Sequence, residues 1–288
     1  MILGISDGLN HPAHAKLGEG KYLKLKQLGF GAVDYGLANI DSVFFTAPIQ
    51  ESRALIADVR SSIEHAGLYV SQVHGPWTWP PSYDATPEAR RIRLEQMKRS
   101  IELTALLGSA YWVIHPLMPF ACQDTLLHKE QEAYDINLRF MRELLPFAKQ
   151  HGVTICLENM PMKHLALASP RAVLGFVREM NDSHFKICLD TGHTTMVSDG
   201  SLADTVRMLG NELRVLHVHD NNGERDEHRL PGDGIIDWHA FAGALRDISF
   251  NGVFSLETTP SKELPDEEYA AALAAIVRQL KVIDPILR

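Results

Sequence analysis

The feature that most constrains the fold is a regular alternation of short apolar runs with helical patterns along the whole chain. Eight runs are typical of buried strands: residues 2–5, 32–35, 68–74, 110–115, 153–158, 186–190, 213–217 and 252–257. A helical pattern follows each run: residues 19–28, 48–66, 87–107, 129–151, 169–180, 201–210, 237–247 and 266–282. Strands that alternate with helices form a parallel sheet, because each helix returns the chain to the same edge.

The number of these units selects one architecture. Eight βα units in 288 residues predict an α/β protein, a (β/α)8 TIM barrel, with a single domain over residues 1–288. Thr86-Pro87 and Ser169-Pro170 support two of the helix starts. A doubly wound open sheet is the alternative, and it predicts a glycine-rich phosphate turn after the first strand. Residues 6–10 (SDGLN) do not form such a turn.

Composition narrows the classes of partner and the compartment. No apolar run approaches the ~20 residues of a membrane span, and residues 1–6 (MILGIS) lack the pattern of a signal peptide. We therefore predict a cytoplasmic protein with no membrane partner. The three cysteines lack C-x-x-C spacing, which argues against disulfides and a cysteine zinc site, and we expect Cys156 and Cys188 to be reduced core thiols. The net charge of -8 provides no overall attraction to nucleic acid.

Side chains that can bind metals stand where consecutive strand patterns end. In a TIM barrel these ends form the active-site rim, and here they provide His74, His115, Glu158, Asp190, His217 and Glu257. Any one of them alone is more often a solvated or capping residue. Converging carboxylates raise one another's pKa values, and a divalent cation is the usual reason that such a cluster stays ionised. Imidazole with carboxylate favours Zn²⁺, Mn²⁺ or Fe²⁺ over Ca²⁺ or Mg²⁺.

A polar loop after the seventh strand adds further candidate ligands. Residues 215–234 (VLHVHDNNGERDEHRLPGDG) hold three histidines and five carboxylates. Asp226 and His228 alternate in an extended segment, so both side chains can point the same way. Gly223, Gly232 and Gly234 give backbone freedom. We expect this loop to close over the rim.

Short motifs in this set resemble a known group of proteins. Residues 157–159 (LEN), 189–193 (LDTGH), 217–220 (HVHD) and 256–258 (LET) resemble the xylose isomerase-like TIM barrel superfamily. That superfamily includes sugar and sugar-phosphate isomerases and epimerases and the endonuclease IV type of abasic-site nuclease. The resemblance implies one divalent metal, Zn²⁺ or Mn²⁺, held by Glu158, Asp190, His217 and Glu257. In the nucleases, which hold three zincs, further ligands correspond to His74, His115, His193, Asp226 and His228, so these five are additional metal ligands or substrate contacts here.

Departures from the nuclease pattern distinguish this chain from the abasic-site nucleases and favour the isomerases and epimerases. The nucleases usually have Cys before the histidine of their LDT motif and Asn in strand 7, where this chain has Gly192 and His219. Residues 226–238 (DEHRLPGDGIIDW) are similar to a segment of isomerase and epimerase relatives.

The scarcity of positive charge in the predicted rim loops also favours an isomerase or epimerase over a nuclease. Loops 36–46, 75–86, 116–127 and 191–200 contain no Lys or Arg, whereas a nuclease needs cations to bind phosphates. Positive charge near the mouth is limited to Lys163, Arg225, Arg229 and Lys262. Aromatic residues that can wall a small-substrate pocket are more numerous: Phe44, Phe45, Trp77, Trp79, Tyr83 and Phe120. These features favour a small carbohydrate partner over nucleic acid.

The sequence thus predicts a metal-dependent isomerase or epimerase of a sugar or sugar phosphate. The metal would chelate a substrate carbonyl and the adjacent hydroxyl, and Glu158 and Glu257 would transfer a proton through an enediolate. His193, Arg225 and Trp77 are the predicted substrate contacts. The alternative is an endonuclease IV-like phosphodiesterase with several zincs that acts on abasic-site DNA. The sugar, the number of metals from one to three, and a monomeric or homo-oligomeric state stay open.

Overall fold

The structure is a closed barrel of parallel strands. The computed structural model describes residues 1–7, 16–77, 85–120, 129–198, 200–261 and 263–283. Its eight strands, β1 to β8, are Ile2–Asp7, Ala32–Gly36, Tyr69–His74, Tyr111–Ile114, Thr154–Glu158, Phe185–Asp190, Leu213–His217 and Val253–Leu256. Neighbours in sequence pair in parallel, and β1 also pairs with β8. Backbone hydrogen bonds from Val218 to Ser255 and from Glu257 to Val218 close the ring between β7 and β8. The predicted (β/α)8 barrel is therefore confirmed.

Helices follow the strands as the sequence predicts. Helices α1 to α10 are Lys21–Leu28, Val43–Thr46, Ile49–His65, Pro87–Leu106, Glu130–Gln150, Pro170–Met180, Thr191–Val197, Leu202–Leu209, Trp238–Asp247 and Asp266–Ile283. Thr86 and Ser169 cap α4 and α6 through their side chains, as their positions before proline predict. The sequence did not predict α2 and α7, which lie within the predicted rim loops 36–46 and 191–200. None of the described helices is long and apolar enough to cross a membrane.

Side chains that alternate along the strands form a small buried apolar layer beneath the barrel mouth. Ile155, Leu157, Ile187 and Leu189 belong to the large core cluster. Val113, Cys156, Cys188 and Val215 form a separate buried cluster contributed by β4 to β7. Successive residues of a strand face opposite sides, so Cys156 and Cys188 share a face with Glu158 and Asp190, two residues further on. Both cysteines are buried and free, as expected, and this small apolar layer supports the polar residues at the strand ends.

Candidate metal centre

The four predicted metal ligands lie together at the carboxyl ends of the strands. Glu158, Asp190 and His217 are the last residues of β5, β6 and β7, and Glu257 directly follows β8. One donor atom from each lies within 4.8 Å of the others. His217 Nδ1 is 2.9 Å from Glu158 Oε1 and 3.3 Å from Glu257 Oε2. We call these four residues the rim cluster.

His74 and His115 border the rim cluster on its β3 and β4 side. Their Nε2 atoms lie 3.4 Å and 3.2 Å from Glu158 Oε2, and 3.3 Å from each other. His74 Nδ1 is 2.8 Å from the carbonyl oxygen of Gly75, which leaves Nε2 directed at Glu158. His74, Glu158 and His217 form a second group that could hold an ion.

A third group joins His193 of α7 to His219, Asp226 and His228 after β7. Asp226 Oδ2 is 3.2 Å from His193 Nε2 and 3.4 Å from His228 Nε2, and Asp226 Oδ1 is 3.7 Å from His219 Nε2. The other ring nitrogens of His193 and His228 lie 2.8 Å and 2.7 Å from the backbone oxygens of Asn159 and Glu257. A backbone acceptor at one nitrogen is the usual arrangement for a histidine that binds metal through the other. We call these four residues the loop cluster.

His219 is a member of the loop cluster that the sequence did not predict as a ligand. Its Nε2 atom lies 3.0 Å from Asp190 Oδ2, and its ring stacks on that of His228 with centroids 4.0 Å apart. A Cβ atom at position 192 would collide with the His219 ring. The two departures from the nuclease pattern, Gly192 and His219, are therefore one packing unit, and their joint occurrence is the sequence signal that could have identified it.

The loop contacts Glu257 and Thr258 just after β8, at the rim over which the sequence predicts that it closes. His228 Nδ1 contacts the Glu257 backbone oxygen, and Thr258 Oγ1 donates to the backbone oxygen of His228 at 2.5 Å. The buried Asp220 carboxylate organises the loop by accepting from four groups: the backbone N–H groups of Asn221, Gly232 and Ile236 and the indole of Trp238. Gly234 approaches Asp220 so closely that a Cβ atom would collide with its carboxylate. In this structure Gly234 thus serves close packing around Asp220.

The two glutamates of the rim cluster have opposite electrostatic environments. Burial favours the neutral form of Glu158, but the positive charges of His217 and His115 outweigh burial and hold its pKa well below the usual range. Burial, together with the negative charges of Glu158 and Asp190, raises the pKa of Glu257 although His217 opposes the shift. Glu158 is therefore the stronger acid of the pair. Two carboxyl groups with separated pKa values are typical of an acid and base pair.

Carboxylates in and around the loop cluster raise the pKa values of His193 and His228. Burial acts to lower the pKa of His193, but the carboxylates of Asp190, Asp226 and Glu158 outweigh burial and raise the pKa to about 10. Burial likewise opposes the shift at His228, where Asp226 and Glu257 raise the pKa to about 9. Burial favours neutral Asp226, yet both histidines hold its pKa below the usual range. Without a metal, the loop cluster is thus a network of charged groups.

Buried polar atoms of this centre fit a divalent cation. Within the described part of the chain, Glu158 Oε2 is buried in the rim cluster and lacks an aligned hydrogen bond. Asp34 and Gln72, which sequence reasoning did not select, lie inside the barrel beside His217. Three carboxylates and an imidazole in the rim cluster form a donor set suited to Zn²⁺ or Mn²⁺.

The predicted substrate contacts lie around the mouth. The Trp77 ring is 5.7 Å from that of His115, and Arg225 is exposed next to Asp226 in the loop. Among the predicted rim cations, Lys163 is exposed, whereas Arg229 Nη2 lies 2.9 Å from Glu227 Oε1. Lys262, Trp79 and Tyr83 lie outside the described residues. The positive charge of Arg229 is therefore already balanced by a neighbouring carboxylate.

Comparison with known proteins supports the resemblance seen in the motifs. The family described as xylose isomerase-like TIM barrel matches residues 23–280. A D-psicose 3-epimerase of Enterocloster bolteae is 26% identical, over 82% of this chain and 75% of that protein. An endonuclease 4-like protein of Shouchella clausii is 24% identical, over 88% and 91% of the two chains.

Two further comparisons concern the length of the match with a relative and a bound metal in a protein of the same fold. An uncharacterized protein of Methanocaldococcus jannaschii is 28% identical over 64% of this chain, and the match spans 63% of that relative's length, less than two thirds. A crystal structure of IolI protein with bound zinc has the same fold, with a TM-score of 0.74, 16% identity and 98% coverage of both chains. Relatives of this chain therefore include sugar epimerases and nuclease-like proteins, and a zinc-bound barrel shares its fold.

Proposed function

The chain belongs to the xylose isomerase-like TIM barrel family, and we propose that it is a divalent-metal-dependent isomerase or epimerase of a sugar or sugar phosphate. One observation carries this proposal. The carboxylates of Glu158 and Glu257 meet at Nδ1 of His217, 2.9 Å and 3.3 Å away, and their pKa values shift in opposite directions. Such a pair can remove a proton from one side of a carbon and deliver one from the other.

The proposed metal ligands are Glu158, Asp190, His217 and Glu257. A divalent metal there supplies Lewis-acid polarisation of a substrate carbonyl, which acidifies the neighbouring C–H bond. One of the two glutamates, Glu158 or Glu257, removes a proton, and the other returns one. Return to the opposite face of the same carbon gives an epimer, and return to the adjacent carbon through an enediolate gives an isomer.

Groups around the mouth orient the substrate in this proposal. Trp77 lies beside His115 and offers an aromatic face to the apolar side of a sugar ring. His193 and the exposed Arg225 contact hydroxyl groups or a terminal phosphate. The enzyme acts in the cytoplasm, with a homo-oligomeric assembly as one option, and its single domain spans residues 1–288.

The loop cluster supports a second metal as a separate proposal. His193, Asp226 and His228 bind that ion, joined by His219, because all four donor atoms lie within 4.8 Å of one another. A third ion beside His74 and His115 would complete the arrangement implied by the nucleases. The number of metal ions bound per chain distinguishes sites for one, two and three ions. The one-metal state is the simplest form of the proposed enzyme.

Two observations favour carbohydrate chemistry over cleavage of abasic-site DNA. The packing of Gly192 against His219 leaves no room for the side chain that the nucleases carry at position 192. The guanidinium of Arg229 is paired with Glu227, so it offers little unbalanced charge to a phosphate backbone.

Solvent-proton exchange tests the proposed function. Incubation with ketoses and aldoses in D₂O should place deuterium on the carbon next to the carbonyl of the true substrate. Glu158→Gln and Glu257→Gln should each slow this exchange by about 10²- to 10⁴-fold, because each removes one proton-transferring group. Glu227→Gln is the matched control: it lies in the loop and pairs with Arg229, outside the rim cluster, and should exchange like the wild type. Metal-dependent incision of abasic-site DNA with no exchange in any sugar would instead support the nuclease.

A further inference from the structure

Asp34 is a buried carboxylate directly beneath the rim cluster. It belongs to β2, and its exposed fraction is 1%. Its Oδ2 atom lies 3.0 Å from Nε2 of His217, a charge pair whose atoms are not aligned as a hydrogen bond. Gln72 Nε2 donates to the same oxygen at 2.9 Å and to the backbone oxygen of Leu216 at 3.2 Å. Asp34 is therefore held from β3 while it faces a proposed metal ligand from β7.

The two nitrogens of His217 have different surroundings. Nδ1 faces Glu158 and Glu257 at 2.9 Å and 3.3 Å, whereas Nε2 faces Asp34. The nitrogen available to a metal in the rim cluster is thus Nδ1. A neutral imidazole carries one proton, so a His217 that binds metal through Nδ1 carries its proton on Nε2, next to the Asp34 carboxylate.

We propose that Asp34 is a positioning residue of the metal centre, which fixes the Nε2-protonated form and the ring orientation of His217. This inference rests on the proposed rim-cluster metal site. A carboxylate beside the remote nitrogen of a ligating histidine increases the basicity of the ligand and sets its direction. Asp34 touches neither the metal nor the substrate in this assignment and acts through His217.

The packing of Asp34 argues against a role limited to fold stability. Its Oδ1 atom is buried without an aligned hydrogen bond within the described residues, an arrangement that costs stability. Removal of one charge from a buried pair is costly when the other charge is left without a partner, but Asp34→Asn keeps the side-chain shape, and Glu158 and Glu257 still face His217. If Asp34 served only the fold, its replacement should lower the free energy of unfolding and the metal affinity together. If Asp34 positions His217, its replacement should lower the metal affinity far more than the free energy of unfolding.

Metal binding by Asp34→Asn tests this assignment. We expect the metal-free variant to unfold at a similar urea concentration to the wild type and to bind Co²⁺ and Mn²⁺ about 10- to 100-fold more weakly. The visible absorption of bound Co²⁺ should also change, because the His217 ring is no longer held by a charge. Ser71→Ala is the matched control: Ser71 is buried on the adjacent strand and donates to the Val33 backbone oxygen, and its variant should bind metal like the wild type.

The outcomes separate this inference from the proposed function. Wild-type protein that binds metal while Asp34→Asn binds it equally well would overturn the role of Asp34 and leave the proposed enzyme standing. Wild-type protein that binds no divalent metal would overturn both. If the variant does not fold, NMR of the zinc-loaded wild type decides: a His217 Nε2 proton whose resonance is shifted downfield by the adjacent Asp34 carboxylate supports the assignment, and an Nε2 proton without that shift, or a proton on Nδ1, contradicts it.

Discussion

At the scale of single residues, Gly192 and His219 depend on each other. Gly192 lies in the first turn of α7, and the His219 ring occupies the space where a side chain at 192 would stand. The ring is fixed further by Asp190 and His228. A methyl group at position 192 must displace this ring or the helix.

The Gly192→Ala variant should therefore be destabilised by about 1–3 kcal/mol, the usual cost of overpacking a rigid interior. Gly175→Ala is the control, since Gly175 lies inside α6, where an added methyl group would meet open space among the described residues, and this change should be neutral or stabilising. Urea unfolding of the metal-free proteins measures both. The double variant Gly192→Ala/His219→Ala should recover part of the loss, and strict additivity of the two changes would contradict direct packing.

At the scale of elements, the loop of residues 221–237 is held from within by Asp220. The four donors that converge on this buried carboxylate come from residues 221, 232, 236 and 238, which span the whole loop. An amide in place of the carboxylate can accept through only one of its two polar atoms. Part of this network is then lost.

We expect Asp220→Asn to accelerate amide hydrogen exchange across residues 221–236 while the strands remain protected. Exchange followed by mass spectrometry measures this local opening. Asp237→Asn is the control, because the exposed Asp237 carboxylate caps α9 by accepting from Ala240 N–H, away from the Asp220 network. Equal exchange in the loop for the wild type and Asp220→Asn would show that other contacts hold the loop.

Sequence patterns predicted the long elements and the strand-end residues that meet in the rim cluster, and missed what depends on contacts between distant residues. The strands and main helices follow from hydrophobic periodicity, and the barrel then brings Glu158 and Glu257 together because its strand ends share one rim. Helices α2 and α7 have only four and seven residues, too few for a clear period. The contact of Asp34 with His217 joins β2 to β7 across the barrel interior, and no local pattern reports such a pair.

At the scale of the whole molecule, the charged loop cluster makes stability depend on pH. A histidine with a raised pKa stabilises the folded state below its unfolded pKa of about 6.5, and the stabilisation is lost as the pH rises through the folded value. His193 and His228 have folded pKa values of about 10 and about 9 without metal. The free energy of unfolding of the metal-free protein should therefore decrease from about pH 6.5 to pH 9.

Urea unfolding at a series of pH values, with a chelator present, measures this decrease. His193→Gln should flatten the profile because it removes one of the groups whose protons are lost. His239→Gln, a change at an exposed histidine of α9, should leave the slope unchanged. A metal-free stability that rises over the same window would contradict the charge network of the loop cluster.

The central claim, a divalent metal held by the rim cluster, is tested most directly by an anomalous-scattering map of crystals grown with zinc or manganese. We predict a peak about 2.0–2.3 Å from donor atoms of Glu158, Asp190, His217 and Glu257. Peaks at the loop cluster and beside His115 would count any additional ions in the same map. A well-ordered barrel mouth with no peak among these four side chains, in crystals of protein saturated with the metal, would contradict the account.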